Sequence, residues 1–295
     1  MSSVSPTPSR HPLARALAWI ERHRAEFALP AGPITEATLR ALKPLGEMVL
    51  IAEKLVQRDR AHAARSRRLL AWAWDELGQG DVLLHILAAK PDLIVLSTVY
   101  ASFAQCGFAN ERLAYAIGQI HDLPASRAIE FPKWRRLDVC HAMASLRGER
   151  MADDALEGSW LAHRPEPWLL GEDAAYAVTH EIFYATDYGR HPRGVPTELR
   201  DYLELWLPAW LRIYERRNNF DLFAELLMSA AYLGLESIYR EHLPRLLSEQ
   251  AQDGSFPGPA GSAATQITAA TPDRRANFLR NYHTTLVGML ALDAG

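Results

Sequence analysis

AYAVTHEIFYATDYG, residues 175–189, is an apolar run that ends on a glycine. Its apolar residues recur at three- and four-residue spacing, which marks a helix. Gly189 suits the left-handed position just past a helix C-terminus, where a Cβ is penalised. The same grammar recurs along the chain. RRLLAWAWDELG ends at Gly78, LIVLSTVYASFAQCG at Gly107, WRRLDVCHAMASLRG at Gly148 and DLFAELLMSAAYLG at Gly234. Each is followed by a second segment, among them DVLLHILAA, NERLAYAIGQI, MADDALEGSWLA and ESIYREHLPRLLSEQ.

Successive glycines stand 29, 41, 41 and 45 residues apart, close to the length of two helices and two connections. The spacing predicts an all-α chain of helical hairpins. In three of the five units the first helix is more apolar and the second more charged, the pattern of an inner and an outer ring. An open α-solenoid and a closed α/α toroid both fit. The units share spacing but little sequence, which favours closure. LIVLSTVY has strand-like composition, yet its continuation into ASFAQCG favours a buried helix. Residues 1–10 are expected to be a disordered tail, and 11–295 a single toroid domain.

The chain has 295 residues, 48% of them hydrophobic, enough for a large core. Lys and Arg number 32 against 35 Asp and Glu, a formal charge of -3, which gives no field for nucleic acid or anionic lipid. RDRAHAARSRR, residues 58–68, is expected to be a solvated helix face. Cys106 and Cys140 are too few for a disulfide framework or a four-thiolate site and are expected as reduced core residues. No apolar leader or membrane-length run stands in the sequence, so a cytoplasmic location without membrane contact is the expectation.

EQAQDGSFPGP, residues 249–259, resembles the QDGSW-type elements of terpenoid cyclases and other α/α-toroid proteins, with Phe256 in place of Trp. NYHTTLVGMLAL (281–292) and THEIFYATDYG (179–189) are similar to segments of a bacterial family of unknown function in that superfamily. The resemblance implies inner helices around a central cavity, with functional groups on inner helices and at one rim. DxDD and DDxxD motifs and the Cys-Cys-His zinc set of lanthionine-forming cyclases are missing, so those activities do not carry over.

His180 and Asp187 are seven residues apart, two helical turns, so a continuous helix carries both on one stripe with Tyr184 between them. A histidine and a carboxylate reaching a cavity suit proton transfer, polar recognition or metal binding. The bland alternative has His180 satisfying a carbonyl and Asp187 capping a turn. His283, among Asn281, Thr284 and Thr285, is expected to face the same cavity. His180, Asp187 and His283 are thus the catalytic candidates, and with Asp187 or Asp253 the two histidines form a mixed set suited to zinc or iron. HEIFY lacks the second histidine of HExxH.

Tyr184, Tyr176, Phe183, Tyr100 and Asp253 are expected to contact substrate, although Asp-Gly at 253–254 is first of all turn chemistry. Residues 253–273, rich in Gly and Pro, suggest a lid or binding loop. Arg135, Asp138 and His141 read as an ion pair orienting a core helix. Asp221 and Glu225 read as first-turn carboxylates answering the helix dipole. GxSxG, P-loop and GxGxxG elements do not occur. The function expected is an enzyme of bacterial, specialised metabolism acting on a small molecule or peptide. The alternative is a non-catalytic peptide- or partner-binding module; a homodimer stays open.

Overall fold

The computed structural model describes residues 11–58, 61–152, 154–259 and 274–295. The expected tail at 1–10 and most of the expected lid, from residue 260, lie outside them. Among the described residues the chain is all-helical: α1 (Pro12–Arg22), α2 (Glu36–Arg58), α3 (Ala63–Glu76), α4 (Asp81–Ala89), α5 (Ser97–Gln105), α6 (Glu111–Asp122), α7 (Lys133–Arg147), α8 (Glu172–Ala185), α9 (Thr197–Arg216), α10 (Phe220–Tyr232), α11 (Glu236–Ser248) and α12 (Arg274–Asp293).

The five glycines do what their positions require. Gly78, Gly107, Gly148, Gly189 and Gly234 all have positive φ, and Gly148 is the left-handed C-cap of α7. Two expectations need correction. Pro91–Leu96, which includes LIVL, forms a 3-10 segment before α5 rather than part of one long helix. MADDALEGSWLA is not an outer helix: its described residues are turns, followed by the 3-10 turn Leu161–His163. Gly158, at φ 71°, breaks the periodicity there, so turn chemistry prevails.

The packing order explains where apolar faces go. Helix α2 packs on α5, α5 on α7, α7 on α8, α8 on α10, α10 on α12, and α12 on α2. The remaining helices pack on these or on one another: α1 on α12, α3 on α2, α9 and α11 on α10, α4 on α6. One hydrophobic cluster runs through all of this, from Leu13 to Ala291. Helix α10 is the extreme case, with every residue but Ala231 buried. At the α2–α5 contact a Cβ on Gly46 would stand 2.9 Å from Val99, so the glycine sets the approach.

The QDGSF element is structural in its described part. Asp253 accepts from the Ser255 amide (3.0 Å) and hydroxyl (2.7 Å) and from the Trp19 indole (3.2 Å). Phe256 is fully buried, its amide donates to Thr285 (3.0 Å), and its ring lies where a Cβ on Gly288 would be, 2.7 Å away. The segment therefore ties α1 to α12. The basic run is also less free than expected, because Arg65 pairs with Glu21 (2.6 Å) and Arg67 donates to the Cys106 carbonyl (3.0 Å). Cys106 is buried and burial pushes its thiol up to about 11. Cys140 is exposed, contrary to expectation, because the buried face of α7 is made by Leu137, Asp138, Val139, Ala142 and Met143 instead.

Close packing at the turn after α8 gives a direct test. A Cβ on Gly194 would stand 1.9 Å from the Ala185 carbonyl oxygen, whereas one on Gly118, inside α6, meets nothing within 4 Å. Gly194→Ala is expected to cost about 2–4 kcal/mol, while Gly118→Ala gains up to about 1 kcal/mol from helix propensity. Urea denaturation of both variants checks this; equal effects would contradict the packing.

Candidate functional site

Helices α2, α5, α7, α8, α10 and α12 all contribute to one cavity of about 690 Å³. Its wall is mostly apolar, with Leu50, Val99, Phe131, Trp134, Phe183, Met228 and Leu290 among its members. Such a chamber is the common form of a small-molecule site, in which a few polar groups fix orientation. Here the polar groups fall into two clusters.

The first cluster joins α2, α8, α10 and α12. Asp221 and Glu225 are four apart on α10, hence on one face, and both are 2% exposed. Asn219 already caps this helix by accepting from the Leu222 amide (3.1 Å), so capping does not account for the carboxylates. Tyr176 donates to Asp221 (2.6 Å) and Thr179 to Glu225 (2.5 Å). The His283 Nε2 lies 3.4 Å from Asp221, and its Nδ1 lies 3.2 Å from Glu47. Asp221 Oδ1 is buried without a hydrogen-bond partner.

Charge sharpens the picture. Burial, then the charge of Asp221, pushes the Glu225 carboxyl up to about 8. Burial opposes the charged form of His283, but Asp221, Glu47 and Glu225 together raise it to about 10. Burial likewise works against the Glu47 carboxylate, and His283 and Lys43 more than offset this, so its pKa is lowered.

His180 has the opposite environment. Burial holds its imidazole down at about 4, and its Nδ1 is 2.7 Å from the Tyr176 carbonyl. A carbonyl only accepts, so Nδ1 carries the proton and Nε2 keeps its lone pair. The ring lines the cavity beside Trp134, with centroids 5.1 Å apart.

The second cluster lies where α2 and α7 meet the turn after α8. His141 Nε2 is 2.8 Å from Asp187, which also pairs with Arg190 at 3.4 Å. Arg190 reaches Glu53 at 3.7 Å, and Lys54 is 2.9 Å from Glu53 and 4.2 Å from the Tyr188 ring. Arg135 donates to Asp138 (2.8 Å). Burial raises the Asp138 pKa. For Asp187, burial is outweighed by the hydrogen bond and charge of His141 and by Lys54 and Arg190, so its pKa falls well below the usual carboxylate range.

The sequence-derived residues therefore separate. His180 and His283 meet in the first cluster. Asp187 does not share a helical stripe with His180, because α8 ends at Ala185 and Asp187 and Tyr188 have φ of 46° and 52°. Two successive left-handed non-glycine residues turn the carboxylate toward His141. The triple of His180, Asp187 and His283 is thus not assembled as a ligand set. Among the described residues, Asp221, Glu225 and His283 bring ligand-type atoms within 4.8 Å of one another.

Tyr184 and Phe183 line the cavity. Tyr176 acts through its bond to Asp221. Tyr100 turns to its own loop, bonding Asn110 at 3.1 and 3.2 Å, and Asp253 holds the α1–α12 tie. Glu47 and the Glu53–Lys54 pair were not singled out from sequence. The available signal for Asp221 and Glu225 was that DLFAELLMSAAYLG has no polar face to present to water, which leaves its two carboxylates buried.

The fold and site define an all-helical protein whose apolar cavity carries a buried carboxylate–imidazole cluster. The family model described as Domain of unknown function (DUF6895) matches residues 13–292, and the chain belongs to that family. No curated protein and no solved structure matches it. No helix among the described residues is long and apolar enough to cross a membrane.

The Asp187–His141 bond predicts a pH signature. Asn tolerates the left-handed turn as Asp does, so Asp187→Asn removes charge without straining the backbone. The loss is expected to be about 1–2 kcal/mol at pH 7. A carboxylate with a lowered folded pKa stabilises above its unfolded value, near 4, and loses that contribution as pH falls toward the folded value. The gap between wild type and variant should therefore shrink by pH 3 in urea titrations; a constant gap would contradict the charge-assisted bond.

Proposed function

We propose that this chain is an enzyme that converts a small molecule with a largely apolar body, held in the central cavity of a closed α/α toroid. The cyclic packing order of α2, α5, α7, α8, α10 and α12 supports closure. The reading rests above all on Glu225, buried on the apolar cavity wall beside His180 and His283, with the buried Asp221 behind His283. Keeping two carboxylates this close, out of water, costs stability, and such costs are concentrated at functional sites.

In this reading the substrate's apolar body lies against Val99, Phe131, Phe183 and Leu290, and its reacting polar group faces the α8–α10–α12 wall. His180, neutral with Nε2 unprotonated, accepts the proton. Asp221 and His283 form a fixed charge pair, with the Glu225 carboxyl beside it, that stabilises charge as it develops, at no reorganisation cost during reaction. The place in bacterial specialised metabolism rests on the sequence resemblance alone.

Two measurements test this. First, wild type and His180→Ala are incubated with a small-molecule extract and followed by liquid chromatography–mass spectrometry. Wild type should consume one species and form another, and His180→Ala should lose at least about 100-fold of the rate, the usual weight of a general base. A species retained unchanged and stoichiometrically by both proteins would make the chain a binding module instead. Second, Glu225→Gln removes a buried charge that lowers stability, so it should stabilise the chelator-treated protein at pH 8 by about 1–2 kcal/mol. Destabilisation of that size would make Glu225 a structural residue.

A further inference from the structure

We propose that Asp221, Glu225 and His283 bind one divalent first-row transition-metal ion of the Zn2+, Mn2+ or Fe2+ type. The assignment extends the catalytic reading of the same wall, yet it stands on the geometry of three side chains and is tested without turnover.

The ligand atoms already stand at suitable separations. Two donors about 2.1 Å from a metal and disposed tetrahedrally are about 3.4 Å apart; His283 Nε2 lies 3.4 Å from Asp221 Oδ2, the oxygen that also accepts from Tyr176, with the unpartnered Oδ1 on the same carboxylate. All three side chains offer donors within 4.8 Å of one another, so side-chain adjustments of about 1 Å complete the set. Asp221 and Glu225 ride on one face of the fully packed α10, which holds them in register, and His283 comes from α12, which packs directly on α10.

The surroundings match those of a metal site. Each ligand has an outer hydrogen-bond partner: Glu47 for His283 Nδ1, Tyr176 for Asp221, Thr179 for Glu225. A carboxylate behind a histidine fixes which nitrogen faces the ion and raises its basicity. Glu47 stands in that place and leaves Nε2 for the metal. Independently, Asp221 is 2% exposed yet its Oδ1 has no hydrogen-bond partner. A buried carboxylate oxygen without a partner is costly, and an ion satisfies it. The cavity beside Glu225 and His283 leaves room for water or a substrate oxygen to complete the coordination.

Donor chemistry narrows the ion. Two carboxylates and one imidazole favour borderline transition metals over Mg2+ and Ca2+, which prefer oxygen throughout. His180 is excluded as a ligand through Nδ1, since that nitrogen is bonded to the Tyr176 carbonyl. It stands beside the site as the proton-accepting group.

The test uses full-length, tag-free protein stripped with chelator and titrated with Zn2+, Mn2+ and Mg2+ by calorimetry, with metal content measured after gel filtration. Wild type should take up one equivalent of Zn2+ or Mn2+ and bind Mg2+ far more weakly. Asp221→Asn, Glu225→Gln and His283→Gln should each abolish stoichiometric uptake, Glu47→Gln should weaken it about 10–100-fold, and His180→Ala should retain it. Electron spin-echo spectroscopy of wild type with Mn2+ should show nitrogen modulation from one imidazole, a readout that needs no variant to fold. Lack of uptake by wild type, uptake surviving in a folded Asp221→Asn/His283→Gln double variant, or bound Mn2+ without nitrogen modulation would each overturn the assignment. If metal binding fails while turnover persists in wild type and is lost in His180→Ala, the metal falls and the catalytic reading stands. If metal binds as described without any turnover, the site stands and the catalytic reading falls.

Discussion

The burial of α10 on every side is the constraint on which the rest depends. Packed by α8, α9, α11 and α12 together, this helix has no solvent face, so whatever polar groups it carries must be answered from neighbouring helices. Asp221 and Glu225 draw Tyr176 and Thr179 from α8 and His283 from α12. Through His283 the network reaches Glu47 on α2. Four helices are thus held by one set of polar demands, and the cavity forms where their apolar faces diverge around it.

The turn after α8 shows how the chain separates two polar clusters that the sequence places on one segment. Residues 187–189 are all left-handed. Thr186 steadies the turn by accepting from the Gly189 amide (3.2 Å), and Gly189 fits against Tyr232, where a Cβ would stand 2.6 Å from the ring. The helical stripe ends at Ala185. His180 stays with α10 and α12, while Asp187 is delivered to His141 on α7. A left-handed conformation is unfavourable at Tyr188, and its presence beside the cavity belongs to the pattern of strain held at functional sites.

Much of the architecture was legible because helix ends are locally encoded. A glycine past an apolar run announces its left-handed turn within a few residues, and all five such glycines adopt it. The site was legible only in part, because burial is a tertiary fact. His180 and His283 stood out as polar residues in apolar helices. Asp221 and Glu225 did too, but a first-turn carboxylate has a sufficient local explanation in the helix dipole, even though Asn219, directly before the helix, is a residue type favoured as its cap. Asp187 misled for the converse reason: helical periodicity was extended two residues beyond a helix that had ended. Tyr100 was read as a cavity residue from its type, and its hydroxyl is taken up by Asn110 in the adjoining loop; Asp253 sits in the turn that Asp-Gly chemistry favours, with Trp19 as a distant donor.

The two histidines carry the chemical argument furthest. Both reach the cavity, and both have ring nitrogens held by partners. For His180 the nearest partner is the Tyr176 carbonyl at 2.7 Å, which sets the tautomer; Glu225 stands farther from the same nitrogen, at 3.6 Å, and burial prevails to keep the ring neutral. For His283 the partners are carboxylates, which favour a positive charge at that spot strongly enough to override burial. One environment thus makes a proton acceptor, and the other demands a cation. A proton on His283 meets that demand in the metal-free protein, and a divalent ion meets it with more charge and with a use for the vacant lone pair of Asp221. In the proposed reading the wall combines a base with a seat for positive charge beside it, a division of labour suited to removing a proton from a substrate while stabilising the anion that remains.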